Sequence, residues 1–162
     1  MTMSYTPLFK LPYPDSAEDS QTWKYWQQLA QAIEQAWTPQ LISAPVASWS
    51  TGWGANADNP CYAYTCGPWA FISLYATRTG ADITAAASGS IADSPMCTLI
   101  ASLFPKKIIT VPMRTSYVHG SAYVDVNGTA SLASLAGTAV LATGQNVMIN
   151  TMWPLIGMIP AT

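Results

Sequence analysis

The chain is 162 residues long, half of them hydrophobic, with only 9% charged side chains and a formal net charge of −2, where an average globular protein carries about 25% charged residues. That length allows one sizeable domain with an appendage. The charge balance excludes the basic stripe a nucleic-acid binder needs, since Lys106-Lys107 is the only basic pair.

So little charge implies an outer surface partly covered by partner subunits, because a lone soluble domain usually needs more charge to stay dispersed. Pro, Gly, Ser or Thr breaks every apolar run well short of the roughly 18 residues of a membrane span, so membrane insertion is not expected. MTMSYTPLFKLPYP lacks the apolar core and cleavage site of a secretory signal, which points to synthesis in a cytoplasm.

Residues 1–14 have no periodicity and carry Pro7, Pro12 and Pro14, so they read as an extended arm. Tyr5, Leu8, Phe9, Leu11 and Tyr13 are its candidate docking residues, anchoring the arm on a neighbour or folding it back on its own chain.

Residues 15–38 read as a helix. Asp15 can cap the first turn with Glu18 bonding back three residues on, Asp19 suits the positive end of the dipole, and Thr38-Pro39 stops it. Trp23, Trp26, Ala30, Ile33 and Trp37 recur at spacings of three and four, the a and d positions of a heptad, while Leu29 and Ala36 widen the stripe. Large indoles at a and d suit a wide seam, so the expected partner is the chain itself, as a homotrimer. The competing reading lays one amphipathic helix on its own domain's sheet.

From residue 39 onward the helical period gives way to short strands. Leu41–Ser50 and Cys61–Thr65 alternate, and the intervening TGWGANADNP reads as a loop. WAFISLYAT (Trp69–Thr77), apolar on both faces, reads as a strand covered on both sides. A turn at Ser88–Pro95 is expected before Leu99–Phe104. Strands at Ile108–Val111, Ser116–His119, Tyr123–Val126, Ala130–Leu132, Ala139–Ala142 and Val147–Thr151 follow, with Asn127-Gly128 as the strongest hairpin signal. Turns roughly every 10 residues predict a mostly β chain, an antiparallel β-sandwich of jelly-roll type behind the arm and helix.

Catalysis finds little support. His119 is the sole histidine, and its nearest carboxylate in sequence, Asp125, lies six residues off beyond Gly120. Asp58, Asp82 and Asp93 stand in turn contexts, where the side-chain oxygen ordinarily binds backbone N–H groups. Cys61, Cys66 and Cys97 permit at most one intrachain disulfide, and Cys-x4-Cys without a nearby His is a poor zinc signature, so free thiols and no metal or cofactor are expected. Trp49, Trp53, Tyr62, Tyr64 and Trp69 crowd the first half of the sandwich. Their rings suit sugar stacking at a glycan site around the Trp53 loop, or core and interface packing.

This plan, with its proline-bearing arm at Leu11–Pro14, acidic-capped helix and sandwich, resembles small tail-associated and fibre proteins of tailed bacteriophages, especially those of Gram-positive hosts. LIASLFPKKIITVP (Leu99–Pro112) is similar to a segment those proteins write as an apolar run, a turn ending in Pro and an apolar strand. AYVDVNGTASL (Ala122–Leu132) matches their following strand, Asn/Asp-Gly turn and return strand. Leu103-Phe104-Pro105 stands where Leu-Pro is usual, and Lys106 and Lys107 replace the Gly and Arg-Pro that often follow.

The resemblance implies a homotrimer whose helices bundle on a threefold axis, a head displayed outward, and a role in assembly or attachment rather than turnover. Its partners would be other virion proteins of the tail or capsid and a host cell-surface glycan. Capsid decoration, or a non-catalytic carbohydrate-binding module, is the alternative.

Overall fold

A computed structural model describes residues 3–5, 12–14 and 22–155. The chain divides into two compact units, residues 1–40 and 41–162.

In the first unit, β1 (Met3–Tyr5) and β2 (Pro12–Pro14) pair antiparallel, Ser4 opposite Tyr13, so the described part of the arm is extended backbone paired as a β-ribbon. Tyr5 and Tyr13 lie on this ribbon; Leu8, Phe9 and Leu11 lie outside the described residues. Helix α1 runs Thr22–Trp37 and packs on β2. Its expected caps Asp15, Glu18 and Asp19 lie outside the described residues. The stop falls where Thr38-Pro39 predicts it, and the Thr38 hydroxyl donates to the Glu34 carbonyl at 2.7 Å, satisfying one carbonyl of the last turn.

The second unit is almost entirely β. Its strands are β3 (Gln40–Ile42), β4 (Val46–Trp49), β5 (Trp53–Ala55), β6 (Tyr62–Cys66), β7 (Trp69–Arg78), β8 (Ile83–Thr84), β9 (Ser90–Leu99), β10 (Ile109–Arg114), β11 (His119–Val124), β12 (Thr129–Leu135), β13 (Val140–Leu141) and β14 (Asn146–Pro154). Ten of them form one curled antiparallel sheet in the order β3-β6-β7-β14-β10-β11-β12-β9-β4, with β5 on the edge of β7; β8 and β13 pair separately.

The sheet divides into two layers at β14 and β10, which are joined by a single register pair, Arg114 opposite Met148. Inner residues of one layer (Ile72, Leu74, Ile149) and of the other (Val111, Val124, Leu132) share one core. Two indoles tie the layers together. Trp53 on β5 donates to the Ser94 hydroxyl on β9 at 3.1 Å, and Trp153 on β14 donates to the Leu103 carbonyl at 3.0 Å. The sandwich predicted from turn spacing is thus present, built as one sheet that turns a corner instead of two separate sheets.

A hairpin forms at Asn127-Gly128 as expected, although of the two only Gly128 takes a positive φ and the loop spans Val126 to Gly128. Gly128 takes φ +76°, and Asp125 Oδ1 accepts the N–H groups of Asn127 and Thr129 at 2.8 and 3.0 Å. The turn expected at Ser88–Pro95 is instead most of β9, and Ala101–Leu103 forms a short 3₁₀ turn where a strand was expected. Pro95 is tolerated inside β9 because the register slips there: Pro95 faces Ser131 and Cys97 faces Ala130, leaving Met96 as the extra residue of a bulge.

Gly120 on β11 approaches the next strand so closely that an added Cβ would overlap the Ser134 carbonyl oxygen. Gly120→Ala should therefore cost about 3 kcal/mol or more, by forcing the β11–β12 ladder apart. Urea unfolding followed by far-UV circular dichroism measures it; an unchanged midpoint would show that the strands separate freely.

No helix among the described residues is long and apolar enough to cross a membrane.

Candidate functional site

Two surfaces stand out. The first is the stripe along α1. Helical geometry puts Trp26, Leu29, Ala30, Ile33 and Trp37 on one side of the rod. Ala30 and Glu34, at one edge of that stripe, are buried, while Trp26, Leu29, Ile33 and Trp37 are between 41% and 56% exposed, with Tyr25 more open still. Trp23 falls on the helix, its side chain outside the described residues. Most of the predicted seam is thus an apolar ridge facing solvent.

The second surface is the outer face of β6, β7, β14, β10 and β11. Alternation on β7 turns Ala70, Ile72, Leu74 and Ala76 inward and leaves Trp69, Phe71, Ser73, Tyr75 and Thr77 on the other face. Register then assembles cross-strand rows: Tyr64-Phe71-Met152, next Tyr62-Ser73-Asn150, next Tyr75-Met148-Arg114-His119. Tyr62, Tyr64, Trp69 and Phe71 are each 38–44% exposed, and Tyr62 meets Tyr64 edge to face at 5.8 Å. The expectation that this strand is covered on both sides is corrected: within the chain, its outer aromatic positions are open. From Trp69 to Tyr75 the face extends roughly 20 Å, at about 3.3 Å per residue.

Of the five aromatic residues expected at a glycan site, the structure brings Tyr62, Tyr64 and Trp69 together and removes the other two. Trp53 does not project from a loop. It sits on β5, 5% exposed, with its N–H on Ser94 and the Arg78 guanidinium 5.1 Å from its ring centroid, so no face is left for a sugar. Trp49 lies on β4 and packs half-buried against the core. The sequence reading missed Phe71 and Met152. Period-two alternation in WAFISLYAT was the available signal for Phe71, hidden because the run is apolar at nearly every position.

Beyond the aromatic rows the face becomes polar and opens into a hollow of about 430 Å³, whose lining includes Asn56, Tyr75, Arg114, Ser116, His119 and Asn146. Arg114 ends β10 and His119 begins β11, directly opposite each other across the hairpin. Such pairs hold their side chains on the same face. Asn56, in the connection after β5, is buried, with Oδ1 accepting the N–H groups of Asp58 and Asn59 at 2.9 and 2.7 Å.

The three cysteines are free thiols. Burial pushes the Cys97 thiol up to about 12, with Cys61 nearby as the smaller cause. Burial also raises Cys61, against a lowering backbone hydrogen bond at Tyr75. Both stay protonated at neutral pH, the form that is neither nucleophile nor metal ligand. Among the described residues, no group of three His, Cys, Asp or Glu side chains is placed to hold a metal ion. Asp82 accepts the Thr143 N–H at 2.8 Å, a loop-fastening role.

Comparison with protein-family models, curated proteins and solved structures returns no match to this chain.

Proposed function

We propose that this chain is a non-catalytic structural protein of a tailed-bacteriophage particle, a homotrimer assembled through α1 and attached at the tail tip, baseplate or fibre, with a part in host attachment. The observation that carries the assembly reading is the exposed ridge of Trp26, Leu29, Ile33 and Trp37 at heptad spacing on a chain with so little charge. Placement in a virion is supported by the resemblance of Leu99–Pro112 and Ala122–Leu132, which fall on the end of β9 through β10 and on the β11–β12 hairpin. Capsid decoration would use the same assembly. The test is the solution mass of the full chain at micromolar concentration: three chains are expected, and a single chain overturns the reading.

A specific observation favours a second reading, a carbohydrate-binding module: Tyr62, Tyr64, Trp69 and Phe71 line one open sheet face. Aromatic faces of this kind suit the apolar faces of sugar rings. The double substitution Tyr64→Ala, Trp69→Ala should lower retention on an immobilised cell-wall glycan at least tenfold with the melting temperature little changed. Equal retention removes the rows as the site.

A further inference from the structure

We propose that the hollow bordered by Asn56, Tyr75, Arg114, His119 and Asn146 binds an oxyanion-bearing sugar, a saccharide unit carrying a carboxylate or a phosphate.

Several polar groups around the hollow offer donors, although Asn59, which also lines it, turns its NH₂ to Asn56 Oδ1 at 3.5 Å and offers an acceptor oxygen. Asn56 Oδ1 is already engaged by two backbone N–H groups, which fixes the orientation of the amide and leaves its NH₂ as the unengaged end. Asn146 Oδ1 likewise accepts the Thr77 hydroxyl at 2.7 Å, leaving its NH₂. Arg114 Nε and Nη2 both rest on Met148 Sδ at 3.3 Å, and a thioether is a weak acceptor that carries no charge. Among the described residues, no carboxylate lines the hollow and Arg114 has no anionic partner. An oxyanion would replace the thioether contact with charge-assisted, two-pronged hydrogen bonds, the arrangement a guanidinium favours.

Size and surroundings argue for a sugar over a bare ion. At about 430 Å³ the hollow lies in the range of small-molecule sites. Its Ser116 hydroxyl, Tyr75 and His119 supply further groups for ring hydroxyls. The row Tyr62-Ser73-Asn150 adjoins the row that carries Tyr75 and Arg114, so a glycan seated by its acidic unit in the hollow would run on across the aromatic rows. The inference thus deepens the carbohydrate reading and is independent of assembly. It uses none of the residues that test the rows, so the two fail separately.

The experiment is isothermal titration of the full chain with trigalacturonate, glucose 6-phosphate, neutral maltotriose and inorganic phosphate. At least one of the two acidic sugars should bind ten times more tightly than maltotriose, and the one that does identifies the anion. Arg114→Gln should abolish that preference. Asn56→Asp should do the same, because it keeps the oxygen that fastens its own loop while putting a negative charge where the NH₂ stood; an unchanged melting temperature confirms that the fold is intact. The proposal is overturned if neither acidic sugar exceeds maltotriose, if Arg114→Gln leaves the preference in place, or if inorganic phosphate alone binds as tightly as the acidic sugars.

Discussion

The double substitution Ile33→Glu, Trp37→Glu is expected to reduce the solution mass of the full chain from that of three chains to that of one. Both side chains sit on the exposed ridge of α1 with Trp26 and Leu29. Covering the open half of such a side chain contributes on the order of 1 kcal/mol, half the value for full burial. Four of them on each of three chains give roughly 12 kcal/mol, toward the low end of the roughly 8–30 kcal/mol that the two association steps of a trimer cost. The seam therefore has little margin. A carboxylate forced into it would either stay unpaired, costing several kcal/mol, or take up a proton at similar expense. Gln28→Glu, exposed on the opposite side of the helix, is the control and should leave the mass unchanged. The second unit forms its own core, so its β signal in circular dichroism should persist in both variants. A double variant that keeps the three-chain mass would show that another surface holds the chains together.

The features that the sequence announced are those carried by local chemistry. The α1 stripe shows because a 3.6-residue period survives over several turns, and its end shows because Pro39 forbids the helical conformation at the preceding residue. The Asn127-Gly128 hairpin shows because Gly128 takes a positive φ that few other residues tolerate. β9 was obscured by Pro95 and by Ser90, Asp93 and Ser94, which spell a turn until the Met96 bulge in its pairing with β12 is known. Trp53 was misplaced for a similar reason: Gly52 and Gly54 flank it and suggest a loop, while its burial depends on Ser94, 41 residues away.

The hollow left no trace in the sequence at all. Its residues come from separate strands and connections, and each is an ordinary residue for its place. His119 looked isolated because its sequence neighbours include no suitable partner. Its neighbour in space, Arg114, is brought opposite it by the register of β10 and β11, which only the folded ladder reveals. Local signals specify turns and stripes; which outer-face residues meet is decided by strand order and register, and these are properties of the whole sheet.

Trp153 supplies the largest expected loss of stability. It is 1% exposed at the end of β14, and its N–H reaches across 50 residues to the Leu103 carbonyl in the short turn after β9. Truncation to Ala removes a full indole from the core, a change that typically costs 3–5 kcal/mol. Total stabilities are only about 5–15 kcal/mol, so Trp153→Ala should leave the second unit near its unfolding threshold at 37 °C. Trp153→Phe separates the hydrogen bond from the volume. Phe keeps much of the apolar contact but leaves a buried carbonyl without its donor, a cost of about 1–3 kcal/mol. Denaturant unfolding of both variants should rank them below the wild type in that order, with the Phe variant losing at least a third of what the Ala variant loses. A Phe variant as stable as wild type would mean that water satisfies the Leu103 carbonyl and that Trp153 holds the layers together by packing alone.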